Sequence, residues 1–320
     1  MIHISNLVKK YGSFAAVDDI SFTVEEGEIV GFLGPNGAGK TTTMKIITCY
    51  MLPTMGTITV DGLDVVEHSL EVRRKIGYMP ESAPLYLDLN LVEYLKFAAE
   101  LHGVEKSRQM TRVKEMVEVC NLGEMVHKRV GELSKGFRQR VCLAQSLIHD
   151  PEILILDEPT VGLDPNQIIE IRSLIKKLGQ KKTVILSTHI LPEVEATCGR
   201  VVIIHRGKIV ADGATEDVVG RFSGSNLVTV EFALPVPQAT EILRSQSGIA
   251  TVREIGDVPG GGWQLRIEGR EGKDVRHDVF MAAAHNQWPL IELKREGVSL
   301  ENVFQSLTRD TGEHSETKAA

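Results

Sequence analysis

The chain has 320 residues, and its 36 Lys and Arg against 43 Asp and Glu give a net charge of −7. A domain holds roughly 100–200 residues, so this length implies two, and the acidic balance disfavours nucleic-acid binding through a broad basic face. The longest uncharged stretch, Ile46–Val60, contains Pro53 and Gly56 and falls short of the ~20 apolar residues of a spanning helix. The opening MIHISNLVKKYG lacks the apolar core of a secretory signal.

Along the chain, His3–Val8, Ala15–Val24 and Glu28–Leu33 read as strands separated by turn residues. Ile29–Leu33 is a continuous apolar run, as expected of a strand buried in a parallel sheet. A Gly-rich loop, Gly34–Gly39, follows, and Lys40–Thr48 reads as a helix. Residues 57–60 and 75–79 are further strands. From Leu91 to about Val130 the apolar residues recur at helical spacing, marking a helical insertion. Ile153–Leu156, Thr183–Leu186 and Val201–Ile204 are buried strands, Pro165–Leu178 is a helix, and Arg206–Lys208 turns into Ile209–Asp212. Strands alternating with helices imply a doubly wound α/β sheet.

The rhythm changes near Phe222–Ser225, a linker-like FSGSN run. Strands at Leu227–Ala233, Thr251–Ile255, Trp263–Ile267 and Leu290–Lys294 alternate with helices at Pro237–Ser247 and Lys273–Asn286, and a DVPGGG turn separates the middle strands. This β-α-β-β-α-β order predicts a small α+β ferredoxin-like module, closed by a helix over Leu300–Leu307 and a frayed polar tail over 311–320. The domains are therefore expected at 1–222 and 226–310. Cys49, Cys120, Cys142 and Cys198 show no CxxC or Cys/His ligand spacing and read as reduced thiols.

Two motifs carry chemistry. Gly34-Pro35-Asn36-Gly37-Ala38-Gly39-Lys40-Thr41-Thr42 fits GxxxxGKS/T between a buried strand and a helix. There the backbone N–H groups and the helix N-terminus can cradle phosphates, Lys40 can reach the β/γ-phosphates and Thr41 can hold Mg²⁺. Ile153–Leu156 ends in Asp157 and Glu158, the first placed to hold Mg²⁺ and the second to polarise an attacking water.

With these motifs the chain resembles the nucleotide-binding subunit of an ATP-binding cassette (ABC) transporter over residues 1–222. Leu133-Ser134-Lys135-Gly136-Phe137 stands in the place of the LSGGQ signature, with Lys135 and Phe137 departing from it. Ser134 also reads as a helix N-cap. The resemblance makes Tyr11 the aromatic residue that stacks on adenine, Val161-Gly162-Leu163-Asp164 the D-loop, and Ser187-Thr188-His189 the switch loop, with His189 reaching the γ-phosphate. Ile76-Gly77-Tyr78-Met79-Pro80-Glu81 aligns with the Q-loop but carries Glu81 in place of the usual Gln. No NKxD base-reading motif of GTPases occurs. MPESAPLY, LSKGFRQR and the late LENVF resemble gliding-motility-associated and ABC-2-type multidrug export ATPases.

The resemblance implies a P-loop NTPase cassette with a RecA-like core, an antiparallel β subdomain and a helical subdomain. It implies ATP and Mg²⁺ as ligands, with Glu158, His189 and Lys40 as catalytic residues and Thr41, Asp157 and Glu81 at the metal. Gly34–Thr42 and Tyr11 would bind ATP. A homodimer or paired cassette would place Ser134 and Gly136 of one subunit on the ATP of the other, and Asp164 of the D-loop is also assigned to the nucleotide. A multi-span permease would dock near Glu81–Tyr94, with the subunit peripheral on the cytoplasmic face of the membrane and no nucleic acid bound. Two alternatives stand beside this: a soluble ABC ATPase that transports nothing, and a regulatory ATPase.

Overall fold

The computed structural model describes residues 1–82, 84–222, 227–258, 262–270, 273–295, 300, 301, 304 and 307. The linker 223–226, the centre of the 257–262 turn, most of the helix expected over 300–307 and the tail 311–320 lie outside the described residues. The chain forms two compact units, Met1–Thr215 and Glu216–Ala320.

The first unit opens with β1 (Ile2–Tyr11), β2 (Phe14–Val24) and β3 (Ile29–Leu33), followed by α1 (Lys40–Ile47), β4 (Met55–Val60) and β5 (Leu63–Asp64). Next come α2 (Ser69–Lys75), β6 (Ile76–Met79), α3 (Leu91–Leu101), α4 (Lys106–Val119) and α5 (Lys135–Leu147). The helical insertion is thus broken after Leu101 and again after Val119, rather than running on to Val130. The unit continues with β7 (Ile153–Asp157), α6 (Pro165–Gly179), β8 (Thr183–Thr188), α7 (Leu191–Thr197), β9 (Arg200–His205) and β10 (Lys208–Ala214), and α8 (Thr215–Phe222) follows.

Two sheets result. β2-β1-β4-β5 is antiparallel, and the six-stranded β10-β9-β3-β8-β7-β6 is parallel except for the edge hairpin of β9 and β10. The apolar runs of β3, β7 and β8 sit in its centre, where both faces are covered. Phe22 of β2 stacks on Phe32 of β3 with ring centroids 5.4 Å apart, so the two sheets share one core. The parallel register pairs Leu33 with Thr188, Asp157 with Ser187 and Met79 with Leu156. The C-terminal ends of four strands therefore finish side by side, the place where open α/β sheets bind ligands.

Three helices pack beside this sheet. Asn90 caps α3, its side chain accepting from Val92 N at 2.9 Å while Glu93 accepts from Asn90 N at 3.1 Å. Arg112 of α4 donates to the carbonyls of Ile148 and Leu147 at 3.0 and 2.8 Å. A cation thus satisfies the free carbonyls at the end of α5. Tyr94 donates to Gln145, joining α3 to α5.

The second unit holds β11 (Leu227–Phe232), α9 (Ala239–Arg244), β12 (Ile249–Val258), β13 (Gly262–Gly269), α10 (Arg276–His285) and β14 (Leu290–Arg295). The antiparallel order β12-β13-β11-β14 slots β13 between β11 and β12, a split β-α-β arrangement. Val228, Val230, Phe232, Leu265 and Ile267 face Leu243, Val279 and Ala283 in a core of its own.

His102, after α3, and His149, after α5, stack with ring centroids 4.1 Å apart and planes 3° apart. Burial, reinforced by His102, pushes His149 down to about 4, and burial also lowers His102. An unfolded chain regains an ordinary imidazole near ~6.5 and so binds more protons than the native chain between that pH and about 4. Stability is therefore full above pH ~6.5 and falls as the pH drops towards 4. Thermal melts should show a lower Tm at pH 5 than at pH 7, and His149→Phe should flatten that slope.

Candidate nucleotide-binding and hydrolysis site

The loop after β3 is built around backbone geometry that side chains resist. Gly39 has φ +111, and a Cβ there would lie 2.5 Å from the Ala16 carbonyl. A Cβ at Gly34 would strike the Ile204 carbonyl. No side chain caps α1 and no acid stands in its first turn. Its leading N–H groups therefore keep their positive field for an external anion. Lys40, 6 % exposed, folds back over the loop, donating to Gly34 O at 2.8 Å and Pro35 O at 3.3 Å. Ala38 is buried, and its carbonyl accepts from Gly207 N at 2.9 Å, which ties the loop to the β9–β10 turn.

The end of β7 supplies the acids. Asp157 is fully buried, and its Oδ1 accepts from Ser187 Oγ at 2.8 Å. Its Oδ2 is buried with no hydrogen-bond partner among the described residues. Burial pushes this carboxyl above the usual range, and the Ser187 and Thr41 hydroxyls draw it part of the way back. Glu158 has φ +51, a left-handed conformation that costs a non-glycine residue roughly 1–2 kcal/mol. Bonds on both sides hold it: Glu158 N donates to Ser187 O at 2.9 Å, and Glu158 O accepts from Val161 N at 3.3 Å. The kink brings Glu158 Oε1 to 3.1 Å from Lys40 Nζ and Oε2 to 2.9 Å from His189 Nδ1. An ionised carboxylate only accepts, so the proton in the second bond sits on Nδ1.

Lys40, Glu158 and His189 line one open cavity of about 570 Å³ with Tyr11, Asn36, Gly37, Gly39, Thr41, Thr42 and Glu81, while Asp157 lines a cavity of about 430 Å³ that shares Thr41 and Glu81. Phe14 lines the larger cavity too, and the sequence reading missed it. The signal was available, because a two-residue Gly12-Ser13 turn sets Phe14 opposite Tyr11 in the β1–β2 hairpin. Tyr11 is half exposed, with its hydroxyl on Met51 Sδ at 3.0 Å. Val161 closes the side near Glu158.

Ser134, Gly136 and Asp164 are not among the cavity's lining residues. Ser134 caps α5, accepting from Phe137 N at 3.4 Å, and Asp164 caps α6, accepting from Gln167 N at 3.0 Å. Gly136 packs against the Gln167 side chain, and Lys135 Nζ lies over Gly162. Within one chain these residues gather with one another and apart from the phosphate loop. Among the described residues no His, Cys, Asp and Glu cluster suits a dedicated metal centre, and no helix is long and apolar enough to cross a membrane.

A glycine loop, a buried lysine and paired acids at the ends of parallel strands define a P-loop nucleotide-hydrolysing cassette. The sequence profile described as ABC transporter matches residues 17–161, and one described as AAA domain matches residues 129–194. The linearmycin resistance ATP-binding protein LnrL of Bacillus subtilis (strain 168) is 32% identical over 315 residues, covering 97% of this chain and 99% of that protein. The ABC transporter ATP-binding protein NatA of the same organism is 40% identical over 205 residues, 63% of this chain and 83% of that one. A dimeric ATP-binding cassette solved in a post-hydrolysis state with ADP and Pi superposes with a TM-score of 0.62 at 27% identity, over 67% of this chain and 98% of that chain. The chain belongs to the ATP-binding proteins of ABC transporters and is an ATPase subunit of that family.

If Lys40 meets the phosphates of bound ATP, Lys40→Ala removes that cation. A charge-assisted bond is worth about 1.5–3 kcal/mol, so ATP affinity should fall roughly ten- to hundredfold. Calorimetric titration of the folded variant measures this.

Proposed function

We propose that this chain binds MgATP and hydrolyses it to drive a separate membrane-spanning exporter. The observation that carries the reading is the contact of Glu158 with both Lys40 and His189 inside the cavity. The phosphate loop and the start of α1 hold the phosphates. Lys40 exchanges its loop carbonyls for phosphate oxygens, and Tyr11 and Phe14 offer aromatic faces to the base. Glu158 orients and deprotonates the attacking water. His189 holds the other Glu158 oxygen and stands where it can meet the γ-phosphate.

Asp157, whose Oδ2 has no hydrogen-bond partner among the described residues, lines a cavity with Thr41 and Glu81, and the three form an oxygen donor set that suits Mg²⁺. These residues would hold it. When bound, the metal neutralises charge on the phosphate oxygens.

Two copies, or this chain and a paired cassette, would close head-to-tail, with Ser134 and Gly136 of one over the ATP of the other. The dimeric cassettes among similar structures support such pairing. Export is supported by relatives named for linearmycin resistance and bacitracin transport. Permease docking near Glu81–Tyr94 is supported by an exposed aromatic surface there. Tyr86 and Leu87 are largely exposed, and Tyr86 stands edge-on to Phe97 with centroids 5.5 Å apart. The subunit would lie peripherally on the cytoplasmic face. Residues 1–222 would form the cassette and 226–310 an accessory domain.

Glu158→Gln should keep ATP binding, lose nearly all turnover and accumulate an ATP-bound dimer; wild-type turnover would remove the base assignment. Glu81→Gln should keep turnover but need more Mg²⁺, read as a right-shifted Mg²⁺ titration of ATPase rate. Co-purification of a multi-span protein with the tagged chain tests the exporter reading.

A further inference from the structure

Glu193 stands in the first turn of α7 and is 1 % exposed. A buried carboxylate persists only where its lost hydration is replaced. Its Oε2 accepts from the Thr188 hydroxyl at 2.9 Å, and its Oε1 accepts from the Thr160 hydroxyl. The Arg172 guanidinium of α6 lies 3.9 Å from Oε1 and supplies the opposite charge.

Both threonines belong to the backbone that carries the hydrolytic pair. Thr188 immediately precedes His189, and its hydroxyl also accepts from Ile190 N at 3.1 Å, so the residues on either side of His189 are bonded together. Thr160 lies two residues beyond Glu158, and its carbonyl accepts from Leu163 N at 3.1 Å in the turn that leads to Asp164. A single side chain thus bridges the two segments whose functional groups meet at 2.9 Å, and it does not line the cavity.

We infer that Glu193 is a positioning residue that fixes Glu158 against His189 without touching nucleotide. The inference rests on the roles proposed above for those two groups. A carboxylate suits the place because both of its oxygens accept and each threonine hydroxyl has one proton to give. Glutamine keeps one acceptor and turns the other position into a donor. That donor would face either Thr160 or the Thr188 hydroxyl, which already accepts from Ile190.

Displacing a reacting group by about 1 Å costs roughly a hundredfold in rate. In the full-length chain, Glu193→Gln and Thr188→Val should each lower kcat about ten- to hundredfold, with KM and the affinity for a non-hydrolysable ATP analogue held within about twofold. Rates are expressed per analogue-binding site, so unfolded protein does not count. Thr188→Ser, which restores the hydroxyl, should recover most of the loss. An unchanged kcat per site with a lowered Tm would reduce Glu193 to a stabilising contact and overturn the inference. So would an equal loss of kcat and analogue affinity. If Glu193→Gln is insoluble, the Thr188→Val and Thr188→Ser comparison decides alone. Glu158→Gln is assayed alongside; wild-type turnover there would remove the assigned base, whatever the result at Glu193.

Discussion

The buried ion pair between Lys40 and Glu158 sets the charge balance on which the rest of the site depends. Both side chains are almost fully buried and lie 3.1 Å apart. Removing one partner of a buried pair leaves the other uncompensated at high cost. Here Lys40 therefore neutralises Glu158 directly. Under the proposed mechanism, phosphates entering the cavity would compete with Glu158 for Lys40, while His189 would keep its bond to Oε2. On that mechanism Glu158 would be freed to meet water as the phosphates arrive.

The sheet supplies the precision this exchange requires. Parallel pairing of β3 with β8, and of β8 with β7, sets the ends of three strands in register. Leu33 then leads to the phosphate loop, Asp157 to Glu158, and Thr188 to His189. The strained backbone at Glu158 is held by bonds to Ser187 and Val161, so the scaffold carries the cost of aiming the carboxylate inward. A site on rigid strand ends holds its groups more tightly than one on free loops.

Much of this was legible in the residues. Ile29–Leu33 and Ile153–Leu156 are apolar on both faces, which only a covered parallel strand requires, and the glycine loop and acid pair follow them directly. The β-α-β-β-α-β order of the second unit gave its split topology, because turn residues punctuate every element. Short elements were harder. β5 has two residues, and α2 and α7 have seven each, too few for an apolar period to emerge. The left-handed turn at Glu158 leaves no trace in composition, since glutamate has no preference for it and tertiary bonds impose it. Phe14 is exposed and flanked by Ser13 and Ala15, so only its cross-strand partner Tyr11 gives it meaning.

The placement of the signature segment completes the physical picture. Ser134 and Gly136, assigned to the signature by resemblance, are not among the residues that line the cavity. Gly136 lets Gln167 press against the start of α5, and Lys135 covers Gly162, which itself has φ +74. Arg140, one turn further along α5, pairs with Glu170 of α6. The start of α5 and the Gly162–Asp164 turn are thus packed as one surface. That turn begins at Thr160, two residues after the carboxylate that Lys40 holds. Lys135 adds to this packing, because its long side chain reaches across to Gly162.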